Sequence, residues 1–162
     1  MFYSAIVTPD NGALVVTFTD APGCVTQVDR VEQLVPMATE ALAGWLDASL
    51  DAGDVLAAPS RRPRAPRGSR TIQVPVVPAA IALRLLLRRA RADTGLSQVA
   101  LAKRLGVSAY AVRALERSGA KPTLAIVTRV SAAFSRTPMN GALLREGSAV
   151  GYRARSARTG RG

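Results

Sequence analysis

Three aspartates, Asp10, Asp20 and Asp29, and a single cysteine, Cys24, are the residues of the first thirty whose side chains can do covalent or metal chemistry. A carboxylate trio can hold a divalent cation and hydrolyse a phosphodiester. Each acid nevertheless stands where the backbone has a use for it. Asp10 precedes Asn11-Gly12, Asp20 precedes Ala21-Pro22-Gly23, and Asp29 lies three residues before Glu32. Turn roles are expected for the first two and a helix cap for the third, rather than a metal site. The chain has no histidine. That excludes Ser-His-Asp and Cys-His catalysis and histidine-containing zinc sites, and one cysteine excludes a four-cysteine site and an internal disulfide. With no histidine to activate it, Cys24 reads as a small packed or loop thiol. No catalytic residue, metal or cofactor is expected.

The remaining chemistry is recognition of a polyanion. The net charge of +11 is unevenly spread: residues 1–60 hold eight acids and one base, −7, and residues 61–162 hold 21 bases and three acids, +18. The basic part can neutralise phosphates and release counterions. The acidic part repels nucleic acid and attracts a basic partner. The residues best placed to exploit the positive charge lie in LSQVALAKRLGVSAYAVRALERSG, residues 96–119. Ser97 can cap a helix over 98–105, with Leu101 and Leu105 inward. Gly106 suits the left-handed position that ends it, and Val107 plugs the corner. Ser108 caps a second helix over 109–117, with Val112 and Leu115 buried. Two helices joined by so short a turn hold the second at a steep angle, the geometry that fits a DNA major groove.

Other elements must position this pair. Residues 2–8 and 13–19 read as strands joined at Pro9-Asp10-Asn11-Gly12, a hairpin turn. Leu14, Val16 and Phe18 share one face, Val15 and Thr17 the other. Residues 24–28 make a short third strand. Asp29 and Glu32 have capping-box spacing, and Leu34, Ala38, Leu42, Trp45, Leu46 and Leu50 recur at helical spacing. Pro36 implies a kink, or a helix that starts near Val35 with the proline in its first turn. Residues 59–70, PSRRPRAPRGSR, read as an extended basic linker, more a solvated tether than a DNA-tracking arm. Residues 71–77 are strand-like, with Pro75 restricting them to an edge; they complete the first sheet or pair across a dimer. Pro78 opens a helix over 79–93 in which Ile81 and Leu85 share a face with the stem of Arg88. The run 79–87 is apolar except for Arg84 and is far shorter than a membrane span. Residues 140–162 carry five arginines without periodicity, a basic disordered tail. No secretory pattern precedes the first strand, and a cytoplasmic location is expected.

The pattern Ser97-Gln98, Leu101-Ala102, Leu105-Gly106-Val107-Ser108, Val112 and Leu115-Glu116 resembles the Cro/CI-type (Xre-like) helix-turn-helix family. Residues 122–134 match its next helix, with Leu124, Val127 and Val130 or Ser131 inward. The resemblance implies that Gln98 and Ser108 touch phosphate at helix N-termini. It places Ala109, Tyr110 and Arg113 at base edges and makes Lys103, Arg104 and Arg117 phosphate contacts. Ala109 and Tyr110 stand where many members carry amides that read adenine. Glu116 is expected to be structural.

The order of the acidic part is a second resemblance. Tyr3-Ser4-Ala5-Ile6-Val7, Asp10-Asn11-Gly12, Val16-Thr17-Phe18-Thr19-Asp20, Ala21-Pro22-Gly23-Cys24-Val25-Thr26 and the Ala-rich helix with Trp45-Leu46 are similar to the HicB antitoxin domain. That resemblance implies an α+β protein: a small partial ribonuclease-H-like β-β-β-α-β domain over 1–60, completed by strand 72–77, a basic Pro-rich linker over 61–71, and an all-α helix-turn-helix domain over 79–134. It further implies a HicA-like toxin as protein partner, double-stranded operator DNA as the other, and autorepression; a homodimer or higher oligomer is expected because one helix-turn-helix module reads only a half-site. The alternative is a stand-alone transcription regulator whose first domain senses a ligand or dimerises.

Overall fold

The computed structural model describes residues 1–135 other than Ala57, Arg61 and Arg62. The basic tail expected over 140–162 lies outside the described residues.

The alternating apolar residues at the start of the chain form β1 (Phe2–Asp10) and β2 (Ala13–Phe18), paired antiparallel with Asp10 opposite Ala13. The two-residue turn between them needs positive φ twice. Asn11 at 45° and Gly12 at 89° provide it at low cost. β3 (Val25–Val28) pairs with β2, and β4 (Arg70–Pro75) pairs antiparallel with β1, so the sheet order is β3-β2-β1-β4. The 71–77 segment therefore completes this sheet as an edge strand; Pro75 is its last residue, and the next N–H, of Val76, still donates to the Met1 carbonyl at 3.0 Å.

Across one sheet face lies α1 (Leu34–Ala52). Leu34, Ala38, Leu42, Leu46 and Leu50 form a stripe of four-residue spacing, buried against Tyr3, Val7, Val16, Phe18 and Val74. Trp45 is at the rim of this core, with Nε1 donating to the Pro22 carbonyl at 3.0 Å. Pro36 is the third residue of α1, inside the first turn, where its missing N–H is not needed. The capping box expected at Asp29 does not form. A short 3-10 turn, Val31–Gln33, precedes α1, its N-cap is Arg30, and no side chain caps either segment. Glu32 instead faces Arg30 at 3.7 Å in solvent. The 3-10 turn delays α1 to Leu34, four residues after the start that an Asp29 cap would set.

The chain between α1 and β4 is more tethered than a free linker. Asp20 does not serve its own turn; its two carboxylate oxygens accept from Ser60 N at 2.6 Å and Ser60 Oγ at 2.8 Å. The Ser4 hydroxyl donates to the Ser60 carbonyl, and Ser69 Oγ lies 2.8 Å from Thr8 Oγ1. β4 already begins at Arg70, inside the segment expected to be linker.

Among the described residues four helices follow: α2 (Ala79–Thr94), α3 (Gln98–Leu105), α4 (Ala109–Leu115) and α5 (Leu124–Ser135). A second core unites Leu83, Leu87 and Ala90 of α2 with Leu101, Ala102, Leu105, Val112, Leu115 and Val130. Leu124 is 80% exposed, contrary to the expected inward position. As the first residue of α5 its Cβ points back along the axis, past the edge of the core. Ile126, Val127 and Val130 take the inner side.

Candidate nucleic-acid interface

The helix pair is set by its caps. Ser97 Oγ accepts from Ala100 N at 3.2 Å and Ser108 Oγ from Ala111 N at 3.1 Å, so each helix begins with a satisfied donor. Gly106, at φ 66°, closes α3, and its N–H reaches Lys103 O at 3.3 Å. Ser108→Ala is expected to cost about 1 kcal/mol through loss of the cap, read as a lower urea midpoint with unchanged slope.

α4 stops at Leu115, two residues before the expected end at Arg117, with Glu116 as a C-cap that keeps helical backbone angles. The Glu116 carbonyl accepts from Arg84 Nε at 2.9 Å. Its carboxylate is buried and bonds Arg91 Nη1 at 2.8 and 3.0 Å and Gln98 Nε2 at 2.6 Å. Glu116 thus ties α2, α3 and α4 together, the structural role expected of it.

The residues expected to meet DNA divide into three groups. Tyr110, 78% exposed, and Arg113 project from α4 three residues apart, on one helix face. Lys103 and Arg104 are exposed in the last turn of α3, and Arg117 just past α4. Gln98, Ser108 and Ala109 are partly committed within the fold. The Gln98 amide donates to Glu116, the Ser108 hydroxyl caps α4, and Ala109 is half-buried against the helical core. Arg91, bound to Glu116, escaped the sequence reading, as did two further arginines. Arg129 Nη1 donates to the Gly106 carbonyl at 3.0 Å and pins the turn from α5. Arg84 is buried beneath α1; its only sequence signal is a charge inside an apolar run.

In the sheet domain, the acids are not gathered for metal chemistry. Among the described residues no group of three or more potential ligands could hold a metal ion. Cys24 is buried, and desolvation pushes its thiol up to about 11. Arg84 beside Asp51 holds that carboxyl below its usual range, chiefly through their hydrogen bond. Among the described residues no helix is long and apolar enough to cross a membrane.

The architecture is a four-stranded sheet with one covering helix, followed by a basic helical region whose capped helices flank a glycine turn. Residues 3–65 match the family model of the HicB-like antitoxin of bacterial toxin-antitoxin system, and residues 87–139 match the helix-turn-helix family model. The chain therefore joins a HicB-like antitoxin domain to a helix-turn-helix domain. A solved structure described as "HicA3 and HicB3 toxin-antitoxin complex" is similar at 23% identity over 48% of this chain and 100% of that one, with a TM-score of 0.43. No curated protein is a significant match. The two family models carry the assignment.

Proposed function

We propose that this protein is an antitoxin and autorepressor. Residues 1–60, with β4, bind and occlude a HicA-like, RNA-cleaving toxin, and residues 79–134 bind the operator of the shared operon. The observation that carries this reading is the adjacency of the two family matches on one chain. The charge supports it: the −7 of residues 1–60 suits a basic, RNA-binding partner and steers its approach. At the DNA, Arg113 takes a guanine, Tyr110 and Ala109 lie against neighbouring base edges, and Lys103, Arg104 and Arg117 contact phosphates. Gln98 and Ser108 sit at helix N-termini that favour phosphate, and act there mainly by holding their helices. A homodimer or larger assembly is expected, since one such module reads only a half-site. The site of action is the cytoplasm.

The first test is purification of the chain from its host at moderate salt. Co-purification of a small, basic, histidine-containing protein encoded beside it supports the antitoxin reading. If the chain comes alone and still binds DNA, the first domain is a sensing or dimerisation module instead. For the groove assignment, Arg113→Ala is expected to cost about 1–3 kcal/mol of discrimination at one base pair. Lys103→Ala should weaken all sequences alike and lower the salt slope by about one. Competition binding across a substituted operator, at two salt concentrations, checks both; an unchanged profile for both variants rejects the assignment.

A further inference from the structure

One helix serves both cores. Ile81 and Leu85 of α2 belong to the core under the sheet, and Leu83, Leu87 and Ala90 to the helical core. Arg84 stands between these stripes with its side chain only 4% exposed. A guanidinium in that position is costly unless its donors are satisfied. Two different elements satisfy it. Nη1 reaches Asp47 Oδ1 at 2.9 Å and Nη2 reaches Asp51 Oδ1 at 2.5 Å, both carboxylates on α1 and one turn apart. Nε donates to the Glu116 carbonyl at the end of α4. The other oxygen of Asp47 accepts from Ser118 Oγ at 3.3 Å, just past α4. Through its own carboxylate Glu116 continues the series to Gln98, the first residue of α3. An unbroken run of bonds thus leads from α1, in the antitoxin domain, to both helices of the DNA-reading pair.

Apolar packing is interrupted beside this run. A cleft of about 500 Å³ separates the start of α2 from the loop after α4, with Pro78, Ile81, Lys121, Pro122 and Val127 in its walls. Close packing fixes an orientation unaided. Where it is interrupted, directional bonds must do so, and a planar arginine fork constrains angle as well as distance.

We infer that Arg84 is a positioning residue for DNA recognition, clamping the end of α4 to Asp47 and Asp51 of α1 and so fixing the direction in which the reading helix faces relative to the sheet. A partner that shifts α1 then moves α4 with it, which gives toxin binding a physical route to the operator. That consequence rests on the antitoxin-repressor reading; the clamp itself does not.

The test uses the full chain. Asp47→Asn/Asp51→Asn keeps shape and acceptor oxygens but removes both charges. Arg84→Met removes the buried cation and keeps an apolar filler, and the carboxylates it leaves, Asp47 at 39% and Asp51 at 52% exposure, can turn to water. Residual dipolar couplings are measured for amides of β1–β2 and of α3–α5. In the unmodified protein one alignment tensor is expected to fit both sets. In both variants two tensors are expected, with the amide shifts inside each half unchanged. Affinity for a duplex taken from immediately upstream of the coding sequence should fall about tenfold in the variants, the loss expected when the binding orientation is populated one part in ten. A single tensor in both variants, or two in the unmodified protein, overturns the clamp, whatever happens to DNA affinity. If the unmodified chain binds no such duplex, the repressor reading fails, and the tensors still decide the clamp.

Discussion

Glu116→Ala is expected to destabilise the helical domain by about 3 kcal/mol, at the lower end of what breaking a buried ion pair costs. The Glu116 side chain is only 7% exposed and holds two donors from two helices. Its removal leaves Arg91 and the Gln98 amide without their acceptor. Arg91 is 34% exposed and can turn towards water, which is why the upper end of the range does not apply. Glu116→Gln keeps an acceptor for Gln98 but lowers the charge pairing, and should lose roughly half as much. Both are read by urea unfolding followed at the helical signal. A loss below about 1 kcal/mol for Glu116→Ala, the worth of one ordinary hydrogen bond, would show that apolar packing alone holds α2, α3 and α4.

The local parts of this protein were legible from its residues. Asn11-Gly12 specifies a two-residue hairpin because positive φ is needed twice. The stripe from Leu34 to Leu50 specifies α1 because a strand would also put Pro36, Glu40 and Gly44 on that apolar face. Ser97, Gly106 and Ser108 punctuate α3 and α4 where the structure has their caps. The exposure of Tyr110 and Arg113 follows from the same periodicity, once Val112 and Leu115 are assigned inward.

Contacts between distant residues were not legible. Asp20 looks like a turn residue but holds Ser60, forty positions away. Arg84 looks like an interruption in an apolar helix, and only the fold shows that Asp47, Asp51 and the Glu116 carbonyl converge on it. Asp29 failed in the opposite sense. Its spacing to Glu32 satisfies a local rule, but the chain enters α1 through a 3-10 turn, and the rule has no donor to act on. The helical domain draws its reading surface from local pattern and its orientation from long-range polar bonds, so a sequence reading finds the first and misses the second.

Alkaline solution is expected to destabilise the antitoxin domain strongly, for a reason built into its core. Tyr3, on β1, is fully buried between the sheet and α1, and its hydroxyl has no hydrogen-bond partner among the described residues. Burial, partly offset by Arg89, pushes this phenol from 10.0 up to about 12. Burial likewise carries the Cys24 thiol from 9.0 to about 11. Both groups are neutral in the folded protein, and folding raises both pKa values. Their contribution is fully present below pH 9 for Cys24 and below pH 10 for Tyr3. Above those values the unfolded chain releases protons that the folded chain keeps, so stability falls with rising pH. The loss is complete only above about 11 for the thiol and about 12 for the phenol. Each group contributes on the order of 2 kcal/mol to that fall. Urea midpoints at pH 8 and 10.5 should differ sharply, and Cys24→Ala and Tyr3→Phe should each flatten the dependence while leaving the pH 8 slope unchanged. At pH 8 Cys24 should also resist iodoacetamide until the domain unfolds, because the thiolate is the reacting form. A flat stability profile through pH 10.5, or rapid alkylation of the folded chain, would mean that water reaches this core and that its two ionisable groups are not sealed beneath α1.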